Sequence, residues 1–458
     1  MTTRAPVRPA PGEPRPYRFP RFTRHRVGAG VQLITAEVSK LPVVSIVAVV
    51  DAGAVRDPEG QDGLAVLTAK LLMEGTTNRE GADLVDAFEQ LGATVDVTTG
   101  WDSAVLRVTV LAGQAEAAIE LLREVIQEPG FRERDVARLK AERHADILQT
   151  QADPRELADE SFERHVYANT ARFSRPTGGR AAAVASITGE AVREFYRAHY
   201  VPGRLTLIVA GDLDEDRAGE IVTRAFHGWG GTPVDAPRTV DLVENDTRRI
   251  RVVKKADAPQ SELRIGHRGV PRDHPDYFPL VVMNAVLGGL FSSRINLNLR
   301  EAHAYTYGAH SGFDWRRNAG PFVISTAVES SVTAEATAEV VREMERIRAA
   351  AVTADELSLA KNYLEGVFPI RYETTAAIAD ALAGLVTYGY PDEYFDTYRQ
   401  GISAVTGDDV LSVAREHLHP EALLVVAVGD PDVIEAPLSA LNLGPLSVEP
   451  SGDPVPGA

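Results

Sequence analysis

Runs of apolar residues divide the first half of the chain into strands and helices. Residues 42–51 form a β-branched apolar run that predicts a buried strand, and residues 93–99 and 103–112 alternate like a pair of strands. Segments with apolar residues at every third or fourth position predict helices. These segments are 62–74, 80–91, 113–127, 131–151 and 153–167.

The second half shows a related order of elements. Apolar patterns predict strands at 261–269, 304–313 and 320–328, helices at 276–287 and 291–301, and mainly helices from 332 to 418. Strands and helices are mixed without strict alternation, which favours an α+β fold with mostly antiparallel sheets covered by helices.

An internal repeat explains why the two halves look alike. Residues 187–212 align with 405–430 at a constant offset of 218, without a gap and with eight identities that include His199/His417. Each copy reads as a Thr-capped helix, a Pro stop and a buried strand. We therefore predict two duplicated domains, 21–230 and 249–446, joined by a Gly/Pro-rich linker at 231–248. The Pro-rich segments 1–20 and 447–458 are predicted to be a flexible arm and a flexible tail.

Composition excludes several classes of function. The chain has no cysteine, which rules out disulfides, thiolate zinc sites, iron–sulfur clusters and a cysteine nucleophile. Its net charge of −17 disfavours nucleic acid and anionic membrane surfaces as partners. The chain has no uninterrupted apolar run of 18 residues and no apolar signal core near its first residue, so we expect no membrane span and a cytoplasmic location.

A series of short motifs then carries a resemblance to a known family. Residue 42 begins a strand that is followed by Ala52-Gly53, Arg56-Asp57-Pro58-Glu59, Gly63-Leu64-Ala65, a helix and Glu74-Gly75-Thr76. This order resembles the insulinase/mitochondrial-processing-peptidase (M16) family of zinc peptidases. The resemblance implies two duplicated domains in each chain, and pairing with a second such chain as a clam shell around a peptide chamber.

The zinc motif of that family is missing. In catalytic members the helix after Gly-Leu-Ala carries His-x-x-Glu-His, in which two histidines bind zinc and the glutamate activates water. Here the ligand and glutamate positions hold Val66, Ala69 and Lys70, and the third family ligand aligns with Asp146. We therefore expect no metal in this chain.

A second family motif is retained. The segment 287–294 and the segment Leu299–Gly308 resemble the second-domain signature, in which an Arg and a Tyr seven residues later contact the scissile carbonyl. Arg300 and Tyr307 occupy those positions. A guanidinium and a phenol suit that role because negative charge develops on the carbonyl oxygen. The residues alone leave open a salt bridge of Arg300 with Glu301 and a structural tyrosine, with Tyr305 and His303 as alternative polar groups.

The resemblance implies a non-zinc subunit of a heterodimeric zinc peptidase. A homologous partner would carry His-x-x-Glu-His and the zinc ion, and unfolded peptides or proteins would be the substrate. Residues 94–99 match the family edge strand that pairs with substrate, although substrate-binding residues are not identified. Two alternatives remain: a purely structural or peptide-binding scaffold subunit, and a self-sufficient peptidase with an unusual site.

Overall fold

The computed structural model describes residues 16–28, 30–234 and 247–452. Within these ranges the chain forms two α+β domains, each built on a six-stranded sheet. This confirms the predicted fold class. The strands are β1 Thr23–Val27, β2 Val31–Glu37, β3 Val43–Val50, β4 Thr94–Thr99, β5 Ala104–Leu111, β6 Leu205–Gly211, β7 Arg249–Lys254, β8 Gln260–Arg268, β9 Ala309–Phe313, β10 Pro321–Glu329, β11 Leu424–Gly429 and β12 Leu446–Glu449.

Helices pack on both sheets and connect them. They are α1 Leu64–Leu71, α2 Gly81–Gln90, α3 Ala115–Gln127, α4 Glu133–Ala152, α5 Pro154–Val166, α6 Ala181–Ser186, α7 Gly189–His199, α8 Glu215–Ala225, α9 Tyr277–Asn284, α10 Arg294–Asn296, α11 Thr333–Ala349, α12 Ala354–Arg371, α13 Thr375–Tyr388, α14 Tyr394–Ala404, α15 Gly407–His417 and α16 Pro431–Ala440. Short π-helical segments follow α9 at Ala285–Gly289 and α10 at Leu297–Ala302.

Five strands of each sheet follow the same order, and the sixth differs, since β1 pairs antiparallel with β2 whereas β12 pairs in parallel with β7. The strand orders are β1-β2-β6-β3-β5-β4 and β12-β7-β11-β8-β10-β9, and most neighbouring pairs are antiparallel. The repeat reappears at equivalent places: Thr188 caps α7 as Thr406 caps α15. Each capped helix leads into a central strand, β6 or β11, so the repeated segments occupy corresponding positions in the two domains.

One helix from each domain packs on the sheet of the other domain. Helix α5, which precedes the linker, packs on β11 and β8 of the second sheet. Its Leu157 and Phe162 share a buried cluster with Val426 and Val428 of β11. Conversely, α13 of the second domain packs on β3 and β6 of the first sheet. The two sheets are therefore joined by an extensive apolar contact as well as by the chain.

The chain ends depart from the predicted arm and tail. Phe19 is buried and its ring stacks on Phe395, with 4.0 Å between centroids. Residues Leu446–Glu449 pair in parallel with β7, so the predicted flexible tail begins as a strand. Phe19 and Leu446–Glu449 are held in place by buried apolar contacts and by strand pairing, respectively, which the Pro-rich sequence around them does not indicate. Residues 1–15 and 453–458, and the linker residues 235–246, lie outside the described residues.

Contrary to the expectation of no such stretch, one helical stretch in the described residues is long and apolar enough to span a membrane, judged by length and composition. The helical stretch Tyr277–Ala302 contains 18 consecutive residues of mean hydropathy 1.4, and polar residues such as Asn284 interrupt its apolar run. Leu280, Leu287 and Leu299 of this stretch are fully buried in the core of the second domain. A core helix passes the same test, and this packing identifies the stretch as one.

Candidate functional site: a zinc-less helix and an exposed arginine–tyrosine motif

Helix α1 is held in place by a buried carboxylate. Asp57 accepts hydrogen bonds from the backbone N–H groups of Gly63, at 2.8 Å, and Ala65, at 2.7 Å. It also pairs with Arg172 at 2.8 Å, and both side chains are buried. The carboxylate thereby satisfies free N–H groups at the helix start, where negative charge is favourable.

Burial and ion pairing shift the pKa of Asp57 in opposite directions. Burial raises the pKa of this carboxyl to about 6, although Arg172 and the two backbone N–H groups favour its ionised form. Gly63 has a φ of +97°, and a Cβ there would lie 2.5 Å from the carbonyl oxygen of Gly178. The position therefore requires glycine, and the Asp-x5-Gly-Leu-Ala sequence serves to build the start of α1.

Val66, Ala69 and Lys70, which occupy the family's zinc-motif positions, lie on helix α1. Val66 is half-buried, Ala69 is fully buried and Lys70 is exposed. The Lys70 Nζ lies 3.9 Å from Glu142 on α4, so an ammonium–carboxylate pair joins the two helices at the surface. The Val66 and Ala69 side chains have no atom that can ligate a metal, and the Lys70 ammonium would repel a cation.

Asp146 lies one turn after Glu142 on α4 and is half-buried. It favours the charged form of Arg143, whose pKa is nevertheless lowered by burial. The Arg143 guanidinium donates to the carbonyls of Gly178 and Gly179, at 3.0 and 3.3 Å. The third aligned zinc position therefore lies next to a second cation, Arg143, on the helix that packs against α1.

Strand β4 is the free edge of the first sheet. It pairs only with β5 among the described strands, and its residues alternate between exposed and half-buried. The half-buried Val95 and Val97 pack on the core of the first domain. The edge therefore has unpaired backbone groups available for an added strand.

Arg300 lies in the π-helical segment Leu297–Ala302, a backbone geometry that is frequent at functional sites. Its Nε is 3.5 Å from Glu301, and its guanidinium carbon is 4.2 Å from the ring centroid of Phe291. The salt bridge that the residues alone allowed is therefore present, but about a third of the Arg300 side chain is exposed and Phe291 is largely exposed.

Tyr307 lies in a loop and not on a strand, which corrects the predicted strand 304–313. The strand begins only at Ala309, because Ala304 has a left-handed φ of +55° that ends the preceding helical segment. Thr306 is fixed by hydrogen bonds to Thr326 and to the Gly308 carbonyl, at 3.0 and 2.9 Å. The Tyr307 side chain is 94% exposed.

A cavity of about 840 Å³ connects this loop to the sheet. Phe291 and Tyr307 line it together with Arg155 and Asp159 of α5 and with Glu262 and Arg264 of β8. The buried Arg264 pairs with Asp159, and with Glu262 at 3.0 Å, so the floor of the cavity is a fixed network of charges. Aromatic and charged groups thus surround a space of a size typical for ligand binding.

His303 and Tyr305, the alternative polar groups near Arg300 and Tyr307, contact each other. The His303 and Tyr305 rings stack at 5.0 Å, and His303 lies 3.8 Å from Glu339. Phe291 was not identified from the sequence. The only available signal was an aromatic residue inside the Gly-rich turn, and its contacts with Arg300 and the cavity depend on tertiary structure.

Two family models match the chain, and together they cover more than half of it. The model described as insulinase (peptidase family M16) matches residues 33–178, and the one described as peptidase M16 inactive domain matches residues 186–364. The chain therefore belongs to peptidase family M16.

Individual relatives agree with this assignment. An uncharacterised zinc protease of Streptomyces coelicolor is 23% identical over 86% of this chain and 87% of its own length. A probable mitochondrial-processing peptidase subunit beta of Arabidopsis thaliana is 22% identical over 83% of this chain and 73% of its own length. The crystal structure of a peptidase M16 inactive domain from Pseudomonas fluorescens superposes with a TM-score of 0.84 at 24% identity, covering 90% of this chain and 98% of that one.

Proposed function

We propose that this chain is the non-zinc subunit of a heterodimeric M16-type zinc metallopeptidase. Its partner would be a homologous chain with His-x-x-Glu-His, and the two would enclose unfolded peptide substrates as a clam shell. The observation that supports this most is the contrast between the two motifs. Val66 and Ala69 offer no metal ligand, whereas Tyr307 is 94% exposed at the edge of a cavity.

The chemistry assigned to this chain is charge stabilisation. The partner's zinc would supply the activated water, and Arg300 and Tyr307 would contact the substrate carbonyl as its oxygen becomes negative. One hydrogen-bond donor in such a position contributes about 3–4 kcal/mol, or roughly 10²–10³-fold in rate. The exposed Tyr307 hydroxyl is free to approach a second subunit, and the stack on Phe291 restricts the Arg300 guanidinium to one region of space.

The experiment is peptide hydrolysis by the complex that copurifies with this chain. Tyr307→Phe removes one hydroxyl from an exposed ring, so the complex should form normally while kcat falls by roughly 10²-fold. Tyr305→Phe is the matched control because Tyr305 lies two residues away and stacks on His303. Chelator should abolish the activity of every version.

Equal rates for wild type and Tyr307→Phe, in a chelator-sensitive complex, would reject the proposed role of Tyr307. The function would then move to the scaffold alternative, a structural or peptide-binding subunit without a catalytic role. One observation favours that alternative: Phe291, Leu297 and Tyr307 are large exposed side chains close together in the sequence, as in many protein-binding patches.

A further inference from the structure

A cluster of metal-ligating side chains lies away from α1. His274 and Asp276 belong to the turn between β8 and α9, and His417 ends α15. One potential ligand atom from each residue lies within 4.8 Å of the others, which makes this the one such group within residues 16–28, 30–234 and 247–452. The two histidines are 143 positions apart, so the sequence pattern gave no sign of the group.

Both imidazole rings place a nitrogen near the same carboxylate oxygen. His417 Nε2 is 2.7 Å from Asp276 Oδ2, and His274 Nδ1 is 3.8 Å from that same oxygen. The rings meet edge to face, with 4.8 Å between centroids. A simple histidine–aspartate ion pair would need only one of these rings.

The potential ligand atoms take part in hydrogen bonds within the cluster. The backbone N–H of Asp276 donates to His274 Nδ1 at 3.2 Å and occupies the single lone pair of that nitrogen. His417 Nε2 lies at hydrogen-bond distance from Asp276 Oδ2. An incoming cation would therefore replace these two hydrogen bonds with coordinate bonds to the same side chains.

The donor set and its spacing suit a zinc-like ion. Two imidazole nitrogens and one carboxylate oxygen are common ligands of Zn²⁺, with water in the fourth position. Bonds of about 2.0–2.1 Å place tetrahedral donors about 3.3 Å apart, which lies between the two observed spacings. Side-chain exposure is 8% for His417, 25% for His274 and 34% for Asp276, so one side of the cluster is open to an incoming ion.

The surrounding structure holds the ligands in place. The turn is fixed by hydrogen bonds from the His274 N–H to the Pro271 carbonyl and from the Tyr277 N–H to the His274 carbonyl. Helices α9 and α15 pack closely on each other. The negative end of the α15 dipole also lies at His417, where a cation is favoured.

We propose that His274, Asp276 and His417 form a divalent transition-metal site, with Zn²⁺ as its ion, which joins the turn after β8 to the end of α15. The site is structural, and it is separate from the degenerate zinc helix. It stabilises the second domain by bridging two segments that are far apart in the sequence.

Zinc binding to the untagged, full-length chain tests the site. After removal of metal with chelator, the wild-type chain should bind one equivalent of Zn²⁺, and its melting temperature should rise with zinc concentration. Co²⁺ in place of zinc should give visible absorption typical of a tetrahedral site. His274→Ala should weaken binding more than tenfold, and this half-buried surface residue can be replaced without opening the core.

His25→Ala is the matched control, because His25 also pairs with a carboxylate, Glu215, at 2.7 Å but on the surface of the first domain. It should bind zinc like the wild type. Asp276→Asn, which keeps the side-chain size, should reproduce the loss seen in His274→Ala. Absence of stoichiometric binding, or equal affinity in wild type and His274→Ala, would overturn the proposal.

Discussion

Asp51 shows how single charged residues join the two domains. It lies directly after β3 and pairs with Arg56 and Arg204 of its own domain, at 2.5 and 3.0 Å. Across the domain contact it pairs with Arg317 at 2.7 Å. Burial alone would raise its pKa, but Arg317 and Arg56 lower it to about 2.

We expect Asp51 to contribute to stability above its unfolded pKa. The folded pKa of about 2 lies below the ordinary value of 3.8, so the contribution is complete above about pH 5 and is lost as the pH falls toward 2. Asp51→Asn should lower the free energy of unfolding at pH 7 by about 1–2 kcal/mol, after allowance for screening of this partly exposed group. Denaturant unfolding across this pH range measures it. The difference between variant and wild type should shrink toward pH 2, and a constant difference would contradict the assignment.

The identity of the site residues was accessible from the sequence, but their environment was not. The spacing of Arg300 and Tyr307 within a family-like motif was enough to select them. Their exposure, and the contact of Arg300 with Phe291, follow from a π-helical segment and a left-handed residue that hydrophobic patterns do not reveal. The cluster at His274 was inaccessible for a different reason, since its members meet only through tertiary packing.

Several elements with strong apolar patterns were predicted to within a few residues, but the buried strand β2 and the amphipathic helix α8 were not among the predicted elements. The predicted strand 42–51 is observed as Val43–Val50, and the predicted helix 80–91 as Gly81–Gln90. Strand β1 was missed because four of its five residues are exposed, so it has no apolar periodicity. Strand β12 was assigned to a flexible tail because it is short and followed by Pro and Gly.

Strand β12 should stabilise the contact between the domains. Its Glu449 accepts hydrogen bonds from Ser161 and His165 of α5, each at 3.0 Å, and its backbone pairs with β7. Truncation after Pro445 should therefore lower the melting temperature by several degrees. Glu449→Gln should cause about half of that loss, because it keeps the strand and weakens the pairing with His165.

Differential scanning calorimetry of the two variants measures these effects. Ser447→Ala provides a comparison on the same strand, since Ser447 contacts Arg251 and not α5. A truncated chain that melts like the wild type would show that the strand contributes nothing to stability.

The packing of α5 and α13 across the domain contact should determine how the whole molecule unfolds. Two domains of this size joined by a linker often unfold as separate units. Here α5 covers the second sheet and α13 covers the first, so neither sheet keeps its apolar face buried if the other domain unfolds. We therefore expect one cooperative transition for the chain.

A pair of core variants tests this cooperativity. Leu157 on α5 is 3% exposed in the cluster that joins the domains, and Leu122 on α3 is 1% exposed in the core of the first domain alone. Either Leu→Ala change should cost about 2–5 kcal/mol. If the domains are coupled, both variants shift the same single calorimetric transition, and its calorimetric and van't Hoff enthalpies agree. Independent domains would instead give two transitions, with Leu122→Ala moving only one of them. Coupling through α5 and α13 would also keep the α1 face and the Tyr307 loop in a fixed relation to each other, which the proposed pairing with a second subunit would require.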